Sequence, residues 1–277
     1  MKLLKLISIF AMPFLMAQQS TRFVYQVTMK PDSANADSRK TESAYLDTDG
    51  KKSVFYSEKS AKRDSVMERM RATKNFDRSQ LQDLRSNIQY IIEKDIANQS
   101  VTYKSRIGRD QYSYNETPAF QWKILPETVK IGDYETQKAE TKFGGRTWYA
   151  WFTQQIPLQE GPYKFSGLPG LIVKIQDEKE DYSFDLMQTK KIAEIQPPQT
   201  RGQYINLPKV KYTELEKKFR KDPESFMNQN QGFSARGGAI SPPMSRSEQS
   251  SNPQQIKAIR ERMLKEIQSN NNPIELK

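Results

Sequence analysis

Cysteine and histidine are both absent from the 277-residue chain. Their absence excludes disulfides, thiolate or Ser-His-Asp nucleophiles, zinc fingers, cysteine-ligated iron–sulfur clusters and ordinary His-ligated metal sites. An enzyme built from what is left would rely on carboxylate, Lys, Tyr or Ser–Lys chemistry, or on a hard cation held by oxygens. Apolar residues are also scarce, at 35% of the chain with a mean hydropathy of −0.84. After the first 16 residues no run approaches the roughly 20 apolar residues that a membrane helix needs. Aromatic residues, in contrast, are plentiful: 13 Phe, 13 Tyr and 3 Trp fall in alternating runs, which argues for a folded core of large side chains.

Charge is unevenly placed. The chain carries 44 Lys+Arg against 33 Asp+Glu, a formal +11. Residues 190–277 hold 16 basic and 9 acidic residues, whereas residues 18–189 are nearly balanced at 26 and 24. The protein is therefore a balanced body with a basic extension. Such an extension fits an anionic envelope surface or a partner protein, and the amino terminus argues against nucleic acid. Residues 1–17, MKLLKLISIFAMPFLMA, combine Lys2 and Lys5, an apolar stretch too short to span a bilayer and a small residue at Ala17. That is the three-part pattern of a cleavable secretory signal. The expectation is an exported chain, periplasmic or secreted, beginning near Gln18, with no lipid anchor because no Cys follows the apolar run.

From Arg22 onward the apolar pattern has period two. Phe23, Tyr25, Val27 and Met29 alternate with Val24, Gln26 and Thr28. Asp49-Gly50 separates Ala44-Tyr45-Leu46 from Val54-Phe55-Tyr56 and reads as a hairpin turn, not as a calcium loop. Further strands are expected around Ile88–Ile92, Val101–Ile107 and Tyr112–Tyr114. Two hairpins follow, 134–142 with 146–153 and 171–176 with 182–186, the second turning at Asp177 to Asp181. Segment 60–87 suits helix or loop. Eight to ten short strands without long helical patterns between them predict a mainly β fold. Its form would be a curved antiparallel sheet or partly open barrel, with short helices and a flexible C-terminal tail. The expected organisation is a signal at 1–17, a β domain at 18–195 and a basic connecting segment at 196–227 in which Tyr212 to Phe219 forms a short helix. A Gly/Ser/Asn/Gln/Pro-rich disordered linker at 228–252, an amphipathic helix at 253–268 and a tail at 269–277 complete it.

The least ordinary stretch runs from Trp148-Tyr149-Ala150-Trp151-Phe152-Thr153 to Gly161-Pro162-Tyr163-Lys164-Phe165-Ser166-Gly167-Leu168-Pro169-Gly170-Leu171-Ile172. Leu168-Pro169-Gly170-Leu171 suits a type II turn, with Pro fixing φ and Gly supplying a positive φ. Trp148 and Trp151 should face opposite sides of their strand. The stretch resembles the GLPGLI family, named for the residues standing here as Gly167, Leu168, Pro169, Gly170, Leu171 and Ile172. Ile156-Pro157, Ser53-Val54-Phe55-Tyr56 and Phe23-Val24-Tyr25 extend the likeness over most of 20–190. The resemblance implies an exported Bacteroidota protein of a family with no assigned catalytic residues or biochemical function.

The candidate ligand-binding residues are Arg146, Trp148, Trp151, Tyr163, Lys164, Phe165 and Leu168. The aromatic and aliphatic members would line a groove for an acyl chain or an extended peptide, and Arg146 or Lys164 would meet an anionic group. The competing reading of the same aromatics is plain core packing. No cofactor or metal is expected. A non-enzymatic binding or accessory role, with an apolar ligand or an envelope protein as partner, is the leading expectation. The alternative is a carboxylate-dependent periplasmic hydrolase drawing on Asp133, Glu135, Glu140 or Glu160.

Overall fold

The computed structural model describes residues 20–108, 110–199, 202–223, 261, 264–265, 267 and 269–276. The expected signal (1–17) and linker (228–252) lie outside them, as does the expected helix at 253–268 apart from Glu261, Leu264, Lys265 and Ile267, which are helical.

Among the described residues, twelve strands form one sheet. They are β1 (Ser20–Met29), β2 (Lys40–Thr48), β3 (Lys52–Ser57), β4 (Tyr90–Asp95), β5 (Ser100–Ile107), β6 (Asp110–Glu116), β7 (Lys123–Ile131), β8 (Tyr134–Phe143), β9 (Arg146–Thr153), β10 (Leu171–Asp177), β11 (Tyr182–Ile192) and β12 (Ile205–Asn206). Helix α1 (Glu58–Thr73) follows β3, and α2 (Lys209–Lys221) follows β12. The spatial order is β12-β6-β5-β4-β3-β2-β1-β11-β10-β9-β8-β7. Every neighbouring pair is antiparallel except the two-residue β12, which runs parallel to β6. The sheet is thus mixed at one edge and open, the first of the two forms expected. Most strands arise from the predicted alternation. Strand β7, whose KILPETVKI sequence interrupts its apolar positions with charges and a proline, does not announce itself.

Register carries one row of side chains across the sheet. Phe23 pairs with Leu46, Leu46 with Phe55, Phe55 with Ile92, Ile92 with Tyr103 and Tyr103 with Tyr114. In the other direction Val27 pairs with Phe184, Phe184 with Ile175 and Ile175 with Ala150. Period-two alternation puts all of these on one face, which is the core, with Tyr114 in a second apolar cluster at its edge.

The connection from β9 to β10, residues 154–170, lies on that face. On one wing it reaches β3 and β4: the Ser53 hydroxyl donates to Glu160 at 2.9 Å, and Lys94 Nζ donates to the Gly161 and Phe165 carbonyls at 2.8 and 3.2 Å. On the other wing Phe165 packs against Trp148 and Phe143, with ring centroids 4.8 and 5.6 Å away. One loop touches both wings because the sheet curls around it. An irregular connection of this length inside a compact domain usually has a role beyond joining strands.

The chain after Ile192 is not a simple extension. In α2 (Lys209–Lys221), Tyr212, Leu215 and Phe219 stand on one face and pack with Tyr103, Ile107, Tyr112 and Tyr114 of β5 and β6. Residues 269–276, read from sequence as a tail, also lie against the body, with Ile274 buried in the main core. Two apolar residues, Ile274 and Leu276, within a short polar segment are too weak a signal to reveal that docking in advance.

Candidate functional site

The 154–170 loop is shaped by close backbone approaches that only glycine permits. A Cβ on Gly161 would stand 2.7 Å from Ile172 Cδ1, and one on Gly170 would stand 2.1 Å from the Thr153 carbonyl oxygen. The expected type II turn at Leu168 to Leu171 is not the one formed. Gly170 N–H donates to Leu168 C=O at 2.8 Å, closing a three-residue γ-turn around Pro169, and Leu171 N–H is used instead by Ile156 C=O at 3.1 Å. Cross-loop pairing therefore replaces the local turn bond, and Gly170 takes φ +152°. Upstream, a β-turn closes from Phe165 N–H to Pro162 C=O at 3.2 Å. Its first central residue, Tyr163, has φ +54°. This left-handed geometry costs an aromatic residue on the order of 1–2 kcal/mol. It persists because Tyr163 is wedged edge-on against Tyr90 at 5.3 Å.

That strained turn delivers Lys164 into the interior, where the residue is fully buried. Its ammonium is ringed by Tyr103, Tyr114, Tyr163 and Phe143 at 5.0–6.0 Å from the ring centroids. It donates to the Tyr114 hydroxyl at 2.8 Å and pairs with Glu116 and Glu275. Lys209, from the first turn of α2, closes the group by pairing with Glu116 at 2.6 Å and Glu275 at 3.2 Å. Two ammonium groups thus alternate with two carboxylates. Burial pushes the Glu275 carboxyl up, but Lys164, Tyr163 and Lys209 outweigh it and hold the group below its ordinary 4.5. Burial and then Glu275 push the Tyr163 hydroxyl well above 10. That hydroxyl therefore stays protonated and donates to Glu275 at 2.5 Å.

Arg146 forms the second half of the site. At the start of β9 it pairs with Asp177 at 2.8 Å and Asp181 at 3.1 Å. Its remaining donors meet Asn272 Oδ1 at 2.5 Å, the Pro273 carbonyl at 2.9 Å and the Ile274 carbonyl at 3.1 Å. Tyr182 O–H donates to the Asn272 carbonyl at 2.6 Å.

The structure divides the sequence-predicted residues into three groups. Arg146, Tyr163 and Lys164 converge on residues 272–275. Trp148, Phe165 and Leu168 are buried and packed on other core residues, so Phe165 and Leu168 anchor the loop into the core, Phe165 against Trp148, and none of the three lines an open groove. Trp151 lies on the opposite face of β9, beside Lys138 and Lys174. The carboxylates of the hydrolase alternative are scattered. Asp133 and Glu135 are exposed at the β7–β8 turn, and Glu140 is five residues from Glu135 along β8 and so on the other face. Glu160 is buried against Lys94 at 2.5 Å.

Sequence reasoning missed Glu116, Lys209, Asn272 and Glu275. Glu116 ends an aromatic strand, and a missing counter-charge for a lysine in the GPYKF element was its only pointer. Asn272-Pro273-Ile274-Glu275 carries no period of its own.

One comparison with known proteins falls on the same elements. Residues 145–174 match a family profile described as "Protein of unknown function (Porph_ging)". The matched span is β9, the loop and the first half of β10. No curated protein matches the sequence. Among solved structures, PNGF-II in its P21 crystal form is similar over 73% of this chain and 34% of that chain, at 17% identity and a TM-score of 0.52. The C2 form gives 73% and 33%, 17% identity and a TM-score of 0.50. The likeness is one of fold, and this chain spans about a third of the PNGF-II chains it matches.

Proposed function

We propose that this protein is an exported, GLPGLI-type binding module of the bacterial envelope that performs no covalent chemistry. Its binding surface is the end of the sheet's concavity bounded by Arg146, Tyr163 and Lys164. One observation carries the reading: these residues, set on a strained turn and a strand start, spend their hydrogen bonds on a chain segment more than 100 residues away in sequence. A buried ammonium needs full compensation, and part of what compensates Lys164 is supplied by that docked segment. The carboxylates that the fold brings together, Glu116 and Glu275, are bridged by two ammonium groups, and Glu275 is held ionised. This is the wiring of recognition, not of acid catalysis.

Native mass spectrometry of full-length protein from an envelope-bearing host tests the reading. Wild type is expected to be bare because the site is filled by its own residues 269–276. The Asn272→Ala/Glu275→Gln variant is expected to carry a discrete peptide-sized mass. A correctly folded variant that stays bare contradicts the proposal. Export is tested by fractionation: the protein should be recovered outside the cytoplasm and lack residues 1–17, and retention of Met1 in the cytoplasm contradicts it.

A further inference from the structure

Resting on the binding-module reading, we propose that the ligand of this site is an extended peptide of a particular chemistry. It has an asparagine, an apolar residue two positions on and an acidic residue immediately after that, and residues 269–276 are its resident occupant in cis. The structure shows how each feature would be read.

Asn272 is held at all four of its polar positions. Its N–H donates to Pro31 C=O at 2.9 Å, and its carbonyl accepts from Tyr182 O–H. Its side-chain Oδ1 accepts from Arg146, and Nδ2 donates to Lys30 C=O at 2.8 Å. An aspartate would set its second oxygen against the Lys30 carbonyl, and an aliphatic residue would leave Arg146 and Lys30 with unmatched groups. Ile274 enters the main apolar core.

Glu275 meets a charge requirement. Lys164 and Lys209 face Glu116, which leaves one positive charge uncompensated, and the Glu275 carboxylate supplies the balance. A neutral or basic side chain there would leave a buried cation unpaired. Arg146, already neutralised by Asp177 and Asp181, contributes directed donors without adding a further charge requirement. Main-chain recognition completes the set. Leu276 N–H donates to Gly144 C=O at 2.6 Å, and a Cβ on Gly144 would lie 3.0 Å from the Glu275 Cα. The β8–β9 hairpin tip is thus bare where the segment passes.

The occupant is tethered. Arg220 of α2 donates to the Asn270 carbonyl at 2.7 Å, so the chain leaves α2 and returns to the same place. Because the segment belongs to the same chain, its docking is intramolecular, and a partner peptide must compete against its effective concentration. The cis segment therefore sets the threshold for binding in trans.

The test uses full-length protein and a fluorescein-labelled peptide with the sequence of residues 269–276. Fluorescence anisotropy should show saturable binding to the Asn272→Ala/Glu275→Gln variant and at least about tenfold weaker binding to wild type. Adding Lys164→Met to the variant should abolish binding, as should a peptide with Lys at the place of Glu275. If the double variant lacks the wild-type circular dichroism spectrum, Glu275→Gln alone carries the same comparison. No peptide binding to a folded variant that nonetheless acquires another mass by native spectrometry overturns this inference and leaves the module reading standing. A folded variant that gains neither ligand overturns both. A wild-type dimer that the peptide dissociates would overturn the cis assignment and place the segment in a second copy.

Discussion

Lys94 and Glu160 meet at 2.5 Å with both side chains about 3% exposed. Burial pulls the Lys94 ammonium below its ordinary 10.5 despite the opposing pull of Glu160. Either partner left alone would be a buried, uncompensated charge, and Lys94 also tethers two loop carbonyls. Removing one partner should be worse than removing both. Lys94→Met is expected to cost about 3–5 kcal/mol in urea denaturation, and Lys94→Met/Glu160→Leu to recover part of that loss, the two loop carbonyls staying without their donor. Equal losses in the single and double variants would contradict this reading. Glycine makes a second residue-scale contrast. Gly170→Ala drives a methyl into the Thr153 carbonyl and should cost about 3 kcal/mol or more. Gly132→Ala, at φ +58° with open space around it, should cost only the backbone strain of about 1–2 kcal/mol. Thermal unfolding of the two variants separates these cases.

At the scale of elements, legibility in the sequence followed periodicity and turn chemistry. Strands β1 to β6 and β8 to β11 stand on alternating apolar or aromatic residues, and Asp49-Gly50 and Gly144-Gly145 mark two hairpins, so all of these were readable. Strand β7 was not, because its charges and Pro126 reflect an exposed sheet edge with few core positions to fill. β12 is two residues long and exists through its pairing with β6 and the packing of α2 behind it. The site was half legible. Arg146, Tyr163 and Lys164 stood out beside the unusual Gly-Pro turns, whereas their partners come from β6, α2 and the carboxyl end, elements joined to the loop only by the fold. The α2 contact makes its own prediction. Tyr212 is buried against Tyr103 and Tyr114 at 5.6 and 4.9 Å, and Tyr212→Ala should destabilise by about 3–5 kcal/mol. A change within 0.5 kcal/mol in chemical denaturation would show that α2 is dispensable to the core.

For the molecule as a whole, the curled sheet holds a loop in its concavity, and the loop holds the carboxyl-terminal segment. Protons should loosen that last attachment first. Glu275 has a folded-state pKa below its ordinary 4.5, so its contribution is fully present above 4.5 and is lost as pH falls through the lower folded value. Lys209 is raised above 10.5, so its contribution is present below that pH and is lost as pH rises through the folded value. Docking of 269–276 should therefore weaken below about pH 4.5 in wild type and lose that acid dependence in Glu275→Gln. The most direct test of the central claim is amide hydrogen exchange on full-length Lys164→Met at pH 7. Exchange at Asn272 and Leu276 should accelerate at least about tenfold, a 1.4 kcal/mol effect, while amides of β1 and β11 keep their wild-type protection. Unchanged protection at Asn272 and Leu276 would mean that the segment is held without the lysine on the loop, and the account of a loop-built receptor would be wrong.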